Sequence, residues 1–227
     1  NNDKLRFVEA LAQSLHHDGS TSIHYSKLRK YLKNDFHELI ENPRHLIEID
    51  HEIRTSSFLT RDDKGNYVFA HKSYREFFLA KKIVTDIENN EIDCLNTIQL
   101  SPEVCRFVSE INLTANAINI LESILTKKYY PQISENALIV LYTIQKQRYF
   151  KHESEVKYFV LPKNIQLNGA VFDHINIEKA QMHYSNFSGA SLTEAMLNDS
   201  DLSFSIFENA NLEKANFQNS ILNDVNF

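Results

Sequence analysis

Histidine and glutamate adjoin at three places in the sequence, and such pairs begin one type of zinc-protease motif. The pairs are His37 with Glu38, His51 with Glu52 and His152 with Glu153. None has a second histidine three residues after the glutamate, which the motif needs to complete its metal ligands. The three pairs are therefore interpreted as surface residues rather than a metal site.

Motifs for phosphate binding and for nucleophilic catalysis are absent from the sequence. A P-loop needs Gly, four residues, then Gly-Lys and Ser or Thr, but no Gly-Lys pair occurs and the chain has only 4 glycines. The adjoining His16 and His17 have no further ligands at metal spacing. We therefore expect no catalysis, no metal and no cofactor in this chain.

Composition limits the class of protein. The 227 residues, of which 42% are hydrophobic, allow one large or two modest domains with a real core. No apolar run approaches the roughly 18 residues of a membrane span, and no signal peptide is visible. Cys94 and Cys105 are the only cysteines, which favours a reducing, cytoplasmic compartment. Because the first residue is Asn1, we expect a fragment of a longer chain.

The stretch from Ile165 to Phe227 has a period of five residues. Every fifth residue is large and apolar: Leu167, Phe172, Ile177, Met182, Phe187, Leu192, Leu197, Leu202, Phe207, Leu212, Phe217, Leu222 and Phe227. The residue two positions before each is nearly always Ala or Ser. Neither a helix nor a strand has this period. A chain that buries two residues in five must turn between successive large ones, and four such sides close a square coil of twenty residues.

This pattern resembles the pentapeptide-repeat family, which implies a right-handed, four-sided β-helix over residues 161–227, with about three coils. Residues twenty apart should then stack, as the column Leu167, Phe187, Phe207 and Phe227 suggests. Gly169, Gly189 and Asn209 form another column, and these residue types tolerate positive φ. One corner of the square is therefore predicted to be a turn of that kind.

Acidic residues are concentrated in the repeat. Eight Asp and Glu residues against Lys179 and Lys214 give this stretch a charge of minus six, which equals the net charge of the whole chain. Such charge keeps an exposed β surface soluble. The alternative is an acidic rod that mimics DNA and inhibits a topoisomerase.

The first part of the chain has the order of a winged-helix domain. The first predicted element is a helix capped by Asp3, whose apolar stripe is Leu5, Val8, Leu11, Ala12 and Leu15. An extended segment, Ser22–His24, is followed by a helix over Lys27–Lys33 that is capped by Ser26, and by a further helix after Pro43. The last two elements are the strands Ser57–Thr60 and Tyr67–Ala70. Asp63 to Asn66 indicate a hairpin turn between the strands. Arg44 and Arg54 are offset by acidic neighbours on the candidate recognition helix, so DNA binding is not expected.

A helix is predicted next over Lys72–Ile87, and Ser73 and Glu76 have the spacing of a capping box at its start. Its inward face is predicted to consist of Tyr74, Phe77, Phe78, Ile83, Val84 and Ile87. The residues Phe69, His71, Ser73, Tyr74, Glu76, Phe77 and Ala80 resemble the winged-helix end of NACHT proteins, which are signalling NTPases of the STAND class. The resemblance covers roughly Asp3 to Ile87, and it implies a winged-helix domain over residues 1–88.

The resemblance implies a nucleotide-sensing role for His71, which in that family contacts the phosphates of bound ADP. A histidine beside a helix N-terminus faces unpaired N–H groups that favour an anion. The other interpretation is a structural histidine that closes the wing onto the helix. The resemblance also implies a partner NACHT domain outside this sequence, and a full-length parent that is an ATPase using ATP, ADP and Mg²⁺.

Between these regions, Pro102 to Gln147 has helical periodicity. The stripes begin at Val104, at Ala117 and at Ala137. Residues 89–160 are therefore predicted to be a helical connector, and Tyr158 to Pro162 are predicted to begin the capping of the first coil.

The sequence as a whole predicts an α+β multidomain protein, with a winged-helix and helical region before the β-helix. Its function is interpreted as the regulatory and sensor region of a NACHT-type signalling NTPase. The resemblance further implies bacterial antiphage defence. The alternatives are the DNA mimic and a non-enzymatic protein-interaction scaffold. An unknown protein is the expected ligand of the repeat, a homo-oligomer through the C-terminal coil is expected, and membrane binding is not.

Overall fold

The structure is a computed structural model that describes residues 2–27, 51, 58–152 and 157–227. These residues fall into two compact units, Asn1–Asp86 and Ile87–Phe227. Within the described part of the chain, no helix combines the length and the apolar character that crossing a bilayer requires.

The first unit contains two α-helices and a small antiparallel sheet of three strands among its described residues. Its elements are α1 (Asn2–His17), β1 (Ser22–His24), a 3₁₀ turn (Tyr25–Lys27), β2 (Leu59–Arg61), β3 (Asn66–Phe69) and α2 (Lys72–Glu88). The strand order is β1-β3-β2. Because α1 begins at Asn2, Asp3 lies in its first turn and is not the N-cap that was predicted. Gly19, with φ of +62°, follows the end of the helix.

The predicted hairpin is confirmed, with a turn held by Asp62. The Asp62 Oδ1 atom accepts hydrogen bonds from the backbone N–H groups of Lys64 (3.0 Å) and Asn66 (2.7 Å). Gly65 has a φ of +84°, which a residue without a Cβ adopts at little cost. The Asn66 side-chain amide also donates to Asp62 Oδ2 at 2.8 Å. This bond has the largest effect in holding the pKa of Asp62 below its usual range, and the two backbone bonds add to it.

The predicted inward face of α2 is partly wrong. Tyr74 and Phe77 are 40% and 38% exposed, whereas the rest of the predicted set is buried. Successive residues of an α-helix are about 100° apart around its axis. The buried face of α2 is centred on Leu79, Ala80 and Ile83, so the rings of Tyr74 and Phe77 lie at the edge of that face. The predicted stripe of α1 is buried except for Leu5, which is half-buried.

The helices predicted over Lys27–Lys33 and after Pro43 lie almost entirely outside the described residues, as does the proposed recognition helix. The winged-helix arrangement therefore stays a prediction.

The second unit begins with helices whose predicted stripes are buried except for Phe107, Ile111 and Ile120, which are half-buried. A 3₁₀ turn (Ile92–Leu95) precedes α3 (Pro102–Glu110), α4 (Ala115–Lys127) and α5 (Ile133–His152). Ser101 and Thr114 cap α3 and α4, each by accepting a hydrogen bond from a backbone N–H. Both cysteines are buried, and neither forms a disulfide bond within the described part of the chain. Burial raises the pKa of the Cys105 thiol to about 12, so this thiol is protonated and unreactive.

Residues 165–227 form the predicted coil of twenty residues. Parallel bridges join residues twenty apart along its length, from Gln166 with Asn186 to Ile206 with Asn226. The rings of Phe187 and Phe207 stack at 4.8 Å between centroids, as the column predicts. The large residues are buried up to Phe207, and they become more exposed in the last coil.

All four corners of the coil have left-handed backbone, so the prediction of one such corner was too narrow. Every fifth residue from Asn164 to Asp224 has a φ between +52° and +79°. At several corners an N–H donates to the carbonyl three residues earlier, as Ala170 does to Leu167 at 3.1 Å. A tight turn with this bond and a positive φ at its third residue is type II. The geometry thus places Gly, Asn and larger residues alike in this conformation.

Helices α4 and α5 and a short strand cap the lower edge of the first coil, which is the N-terminal end of the β-helix. Strand β4 (Phe159–Val160) pairs in parallel with β5 (Ala180–Gln181), in agreement with the capping predicted for Tyr158 to Pro162. On two other sides, the N–H of Gln166 donates to the Leu125 carbonyl (2.8 Å) and the N–H of Val171 donates to Glu135 Oε1 (2.9 Å).

Serines at the small-residue position, two residues before each large residue of the repeat, form hydrogen bonds with buried backbone groups. Ser205 Oγ accepts from the Ser185 N–H (3.1 Å) and donates to the Met182 carbonyl (3.1 Å). Ser200 makes the equivalent contacts with Ala180 and Ile177. The buried Oγ of Ser185 has no such partner among the described residues.

This difference predicts opposite results for two serines in one column. Ser205→Ala should lower the free energy of unfolding by about 1–3 kcal/mol, because the buried Ser185 N–H loses its acceptor. Ser185→Ala should leave the stability unchanged or raise it, because the hydroxyl it removes is unpaired. Urea denaturation of both variants measures the two changes, and equal losses would contradict the assignment.

Candidate functional site

His71 lies at the N-cap of α2, where its ring caps the helix. Its Nδ1 atom accepts a hydrogen bond from the Ser73 N–H at 3.2 Å, and its carbonyl accepts from the Tyr74 N–H at 3.1 Å. The cap is therefore His71 itself and not the predicted Ser73–Glu76 box. Glu76 instead forms an ion pair with Lys72 at 3.3 Å.

The cap leaves the other ring nitrogen of His71 as a donor. In a neutral imidazole whose Nδ1 accepts, the hydrogen is on Nε2. The His71 side chain is exposed, and its ring meets the Tyr74 ring edge-on at 6.2 Å between centroids. The local geometry therefore gives His71 a structural role and leaves one N–H able to meet an anion.

The β-helix carries an aromatic surface that the sequence reasoning missed. Tyr184 and Phe204 occupy successive positions of one corner, and their rings stack at 4.9 Å with an interplanar angle of 8°. Ile206 lies beside Phe204 on the adjoining side of the coil. The three side chains are 47%, 44% and 36% exposed. We call this set the corner surface. In the sequence, this surface is indicated by two aromatic residues that lie twenty positions apart at the corner position of the repeat.

The backbone of the corner surface is unfavourable for aromatic residues. Tyr184 and Phe204 have φ of +60° and +64°, a region that non-glycine residues other than Asn and Asp rarely occupy. Asn or Gly in these positions would satisfy the turn, as at Asn209 and Gly189. The same backbone occurs at corners occupied by His174, Lys179 and Glu194, so the closed coil imposes it at every corner. What distinguishes this corner is that it exposes two stacked aromatic rings.

The acidic residues of the coil lie on all four of its sides, and most have partners. Glu194 contacts Lys214 (3.3 Å) and His174 (3.2 Å). Asp173 accepts hydrogen bonds from the Ser191 hydroxyl and from the Thr193 N–H, and the Ser191 bond is the main reason that its pKa lies below the usual range. The negative charge is thus distributed around the coil rather than arranged in one track.

A serine, a histidine and an aspartate meet where the first and second coils adjoin, but they cannot act as a catalytic triad. Ser203 Oγ donates to Asp201 Oδ1 at 2.7 Å, and His183 Nε2 lies 2.8 Å from Asp201 Oδ2 without hydrogen-bond alignment. The Ser203 hydroxyl is therefore hydrogen-bonded to the carboxylate rather than to the histidine, so the histidine does not activate it as a nucleophile. Burial raises the pKa of Asp201, but contacts with Ser203 and His183 outweigh burial and hold it below its usual range.

Comparison with known proteins identifies the coil. The profile of the pentapeptide-repeat family matches residues 163–194 and 195–227, with 8 copies of the repeat. No curated protein sequence matches the chain.

The solved structures that are similar to part of the chain include three pentapeptide-repeat proteins. HetL from the cyanobacterium Nostoc sp. strain PCC 7120, a pentapeptide-repeat protein involved in heterocyst differentiation regulation, is 25% identical over 28% of this chain and 37% of its own, with a TM-score of 0.18. Rfr23 from Cyanothece 51142 is 17% identical over 34% of this chain and 69% of its own (TM-score 0.22). The protein alr5209 from Nostoc PCC 7120 is 20% identical over 34% and 72% (TM-score 0.13).

The chain spans little more than a third of the length of HetL. The period of five, the twenty-residue coil and the family match all concern the same part of the sequence. Residues 163–227 are a pentapeptide-repeat domain, the kind of repeat that folds as a right-handed β-helix.

Proposed function

We propose that this chain is a non-enzymatic protein-interaction module that binds a partner protein through the corner surface of its β-helix. The stacked and exposed rings of Tyr184 and Phe204 carry the proposal. Aromatic residues are enriched at the centres of protein interfaces, where they supply large contact areas at a low entropic cost.

Site-specific photo-crosslinking in cells tests the corner surface. We expect Tyr184→p-benzoylphenylalanine to crosslink one discrete partner, and Phe204→Asn in the same chain to abolish the product while preserving the turn. Asn211→p-benzoylphenylalanine, on another side of the coil, is the control. The same products from both positions, or a product that survives Phe204→Asn, would reject the corner surface.

We propose further that the chain is the regulatory and sensor region of a NACHT-type signalling NTPase, with a role in bacterial antiphage defence. The motif residues Phe69, His71, Ser73, Tyr74, Glu76, Phe77 and Ala80 support this proposal. The Nε2–H of His71, exposed at a helix N-terminus, is suited to a phosphate of ADP held by the nucleotide domain.

The intact parent tests the nucleotide role of His71. We expect His71→Ala to lose ADP that co-purifies with the parent, as measured by chromatography of the released nucleotide. His174→Ala, which removes an exposed histidine of the repeat, should retain it. Unchanged retention in His71→Ala would leave the structural cap as the whole role of this residue.

A further inference from the structure

A cleft of about 610 Å³ lies between the helices and the first coil of the second unit. Tyr142 and Lys146 of α5 and Arg106 of α3 form part of its wall, and the backbone from His174 to Ile177 forms another part. Its volume is in the range of sites that hold small molecules or a few residues of a peptide.

The coil contributes to this cleft one side of its first sheet edge, which has no partner strand among the described residues. In the later coils, the outward N–H of each side donates to a carbonyl of the coil before it, as Met196 does to Ile175 at 2.7 Å. The first coil has no preceding coil. The N–H groups of Gln166 and Val171 are satisfied by the helical region, and strand β4 covers the side of Gln181.

The fourth side, at Asn176, is different. Among the described residues, no group accepts a hydrogen bond from the Asn176 N–H. Asn176 is exposed and lines the cleft. A sheet edge with a free donor is a template for another strand, and here the template is one side of a coil whose other three sides are covered.

The charge of the cleft contrasts with that of the chain. The net charge of the chain is -6, yet the charged side chains among the described residues that line the cleft are the cations Arg106 and Lys146, with no carboxylate among them. His174 also lines the cleft and has Glu194 at 3.2 Å. Arg106 has Glu110 at 3.8 Å and Lys146 has Glu178 at 3.6 Å. Such partly exposed pairs are worth about 0–1 kcal/mol each, so both cations can engage another anion.

We propose that the cleft binds an extended, acidic peptide segment of a partner protein, which adds a strand to the open side of the first coil. A carbonyl of the peptide accepts from the Asn176 N–H, and a carboxylate of the peptide lies between Arg106 and Lys146. The backbone contact supplies affinity and the charge supplies selectivity, as in other cases of strand addition.

Selection of a random heptapeptide display library on the full chain tests this proposal. We expect enrichment of peptides with Asp or Glu beside β-branched or aromatic residues. An enriched peptide, synthesised with a fluorescent label, should lose at least tenfold in affinity to Arg106→Glu and to Lys146→Glu by anisotropy. Lys163→Glu makes the same charge change at an exposed residue outside the cleft, and it should leave the affinity within twofold.

Hydrogen exchange then locates the peptide. Bound peptide should slow exchange of the Asn176 amide, and Phe204→Asn should not affect binding, because the corner surface is separate from the cleft. No enrichment of acidic peptides, equal losses in Lys163→Glu, or unchanged exchange at Asn176 would each overturn the proposal. Displacement of the peptide by millimolar succinate or phosphate would also overturn it, in favour of a site for small anions.

Discussion

Replacing Glu135 with alanine is expected to lower the free energy of unfolding of the second unit by about 3–5 kcal/mol. Glu135 is 6% exposed and accepts four hydrogen bonds. Oε1 accepts from the Tyr129 hydroxyl (2.7 Å) and from the Val171 N–H (2.9 Å), and Oε2 accepts from the N–H and the side-chain amide of Gln132, both at 3.1 Å.

These contacts explain the size of the effect. One carboxylate joins the loop before α5 to the lower edge of the first coil, so its loss leaves several donors without an acceptor. Burial raises the pKa of the Tyr129 phenol above its usual range, and the bond to Glu135 adds to this. The phenol is therefore a donor at neutral pH.

Urea denaturation measures the loss, and hydrogen exchange at the Val171 amide shows whether the coil edge opens with it. Glu122→Ala on α4 is the matched control, because Glu122 is only half-buried, and its change should be below about 0.5 kcal/mol. Similar losses in both variants, or unchanged protection of Val171, would show that Glu135 does not hold the coil.

Replacing Phe187 with alanine is expected to destabilise the β-helix by about 3–5 kcal/mol, the usual cost of removing a buried phenylalanine ring. Phe187 is fully buried and stacks on Phe207 inside the coil. The coil encloses one column of large side chains per face, so neighbouring rings have little freedom to fill the cavity.

Phe204→Ala provides the control in the neighbouring register of the same repeat. It removes the same ring from an exposed position, and its change should be below about 1 kcal/mol. Thermal and urea denaturation compare the two variants. If Phe204→Ala were as destabilising as Phe187→Ala, the exposed rings would serve the stability of the coil, and the corner surface would lose its main argument.

The repeat could be predicted from the sequence because its signal is local and periodic. The large residue at every fifth position fixes which side chains face inward, and the column of Phe187 and Phe207 follows from the twenty-residue coil. The left-handed corners at Tyr184 and Phe204 could not be predicted from residue type, because the closed coil imposes this backbone on residues that avoid it alone.

The helical region was predicted less completely. Periodicity gave the buried stripes of α3, α4 and α5, and it gave the approximate bounds of α2. It did not give the burial of Glu135, since a carboxylate at a helix N-terminus usually lies in solvent and only contact with the coil encloses it. The exposure of Tyr74 and Phe77 likewise depends on which neighbours cover the helix.

The sequence by itself determined the hairpin, the helical stripes and the pentapeptide repeat, because spacing along the chain dictates which side chains can share a face. Only the tertiary structure decided which polar groups meet. Docking of the helices on the first coil buried Glu135 and covered two sides of the coil edge, and strand β4 covered a third. Among the described residues, the Asn176 side beside Arg106 and Lys146 has no such partner. Such contacts join residues far apart in sequence, and no local pattern records them.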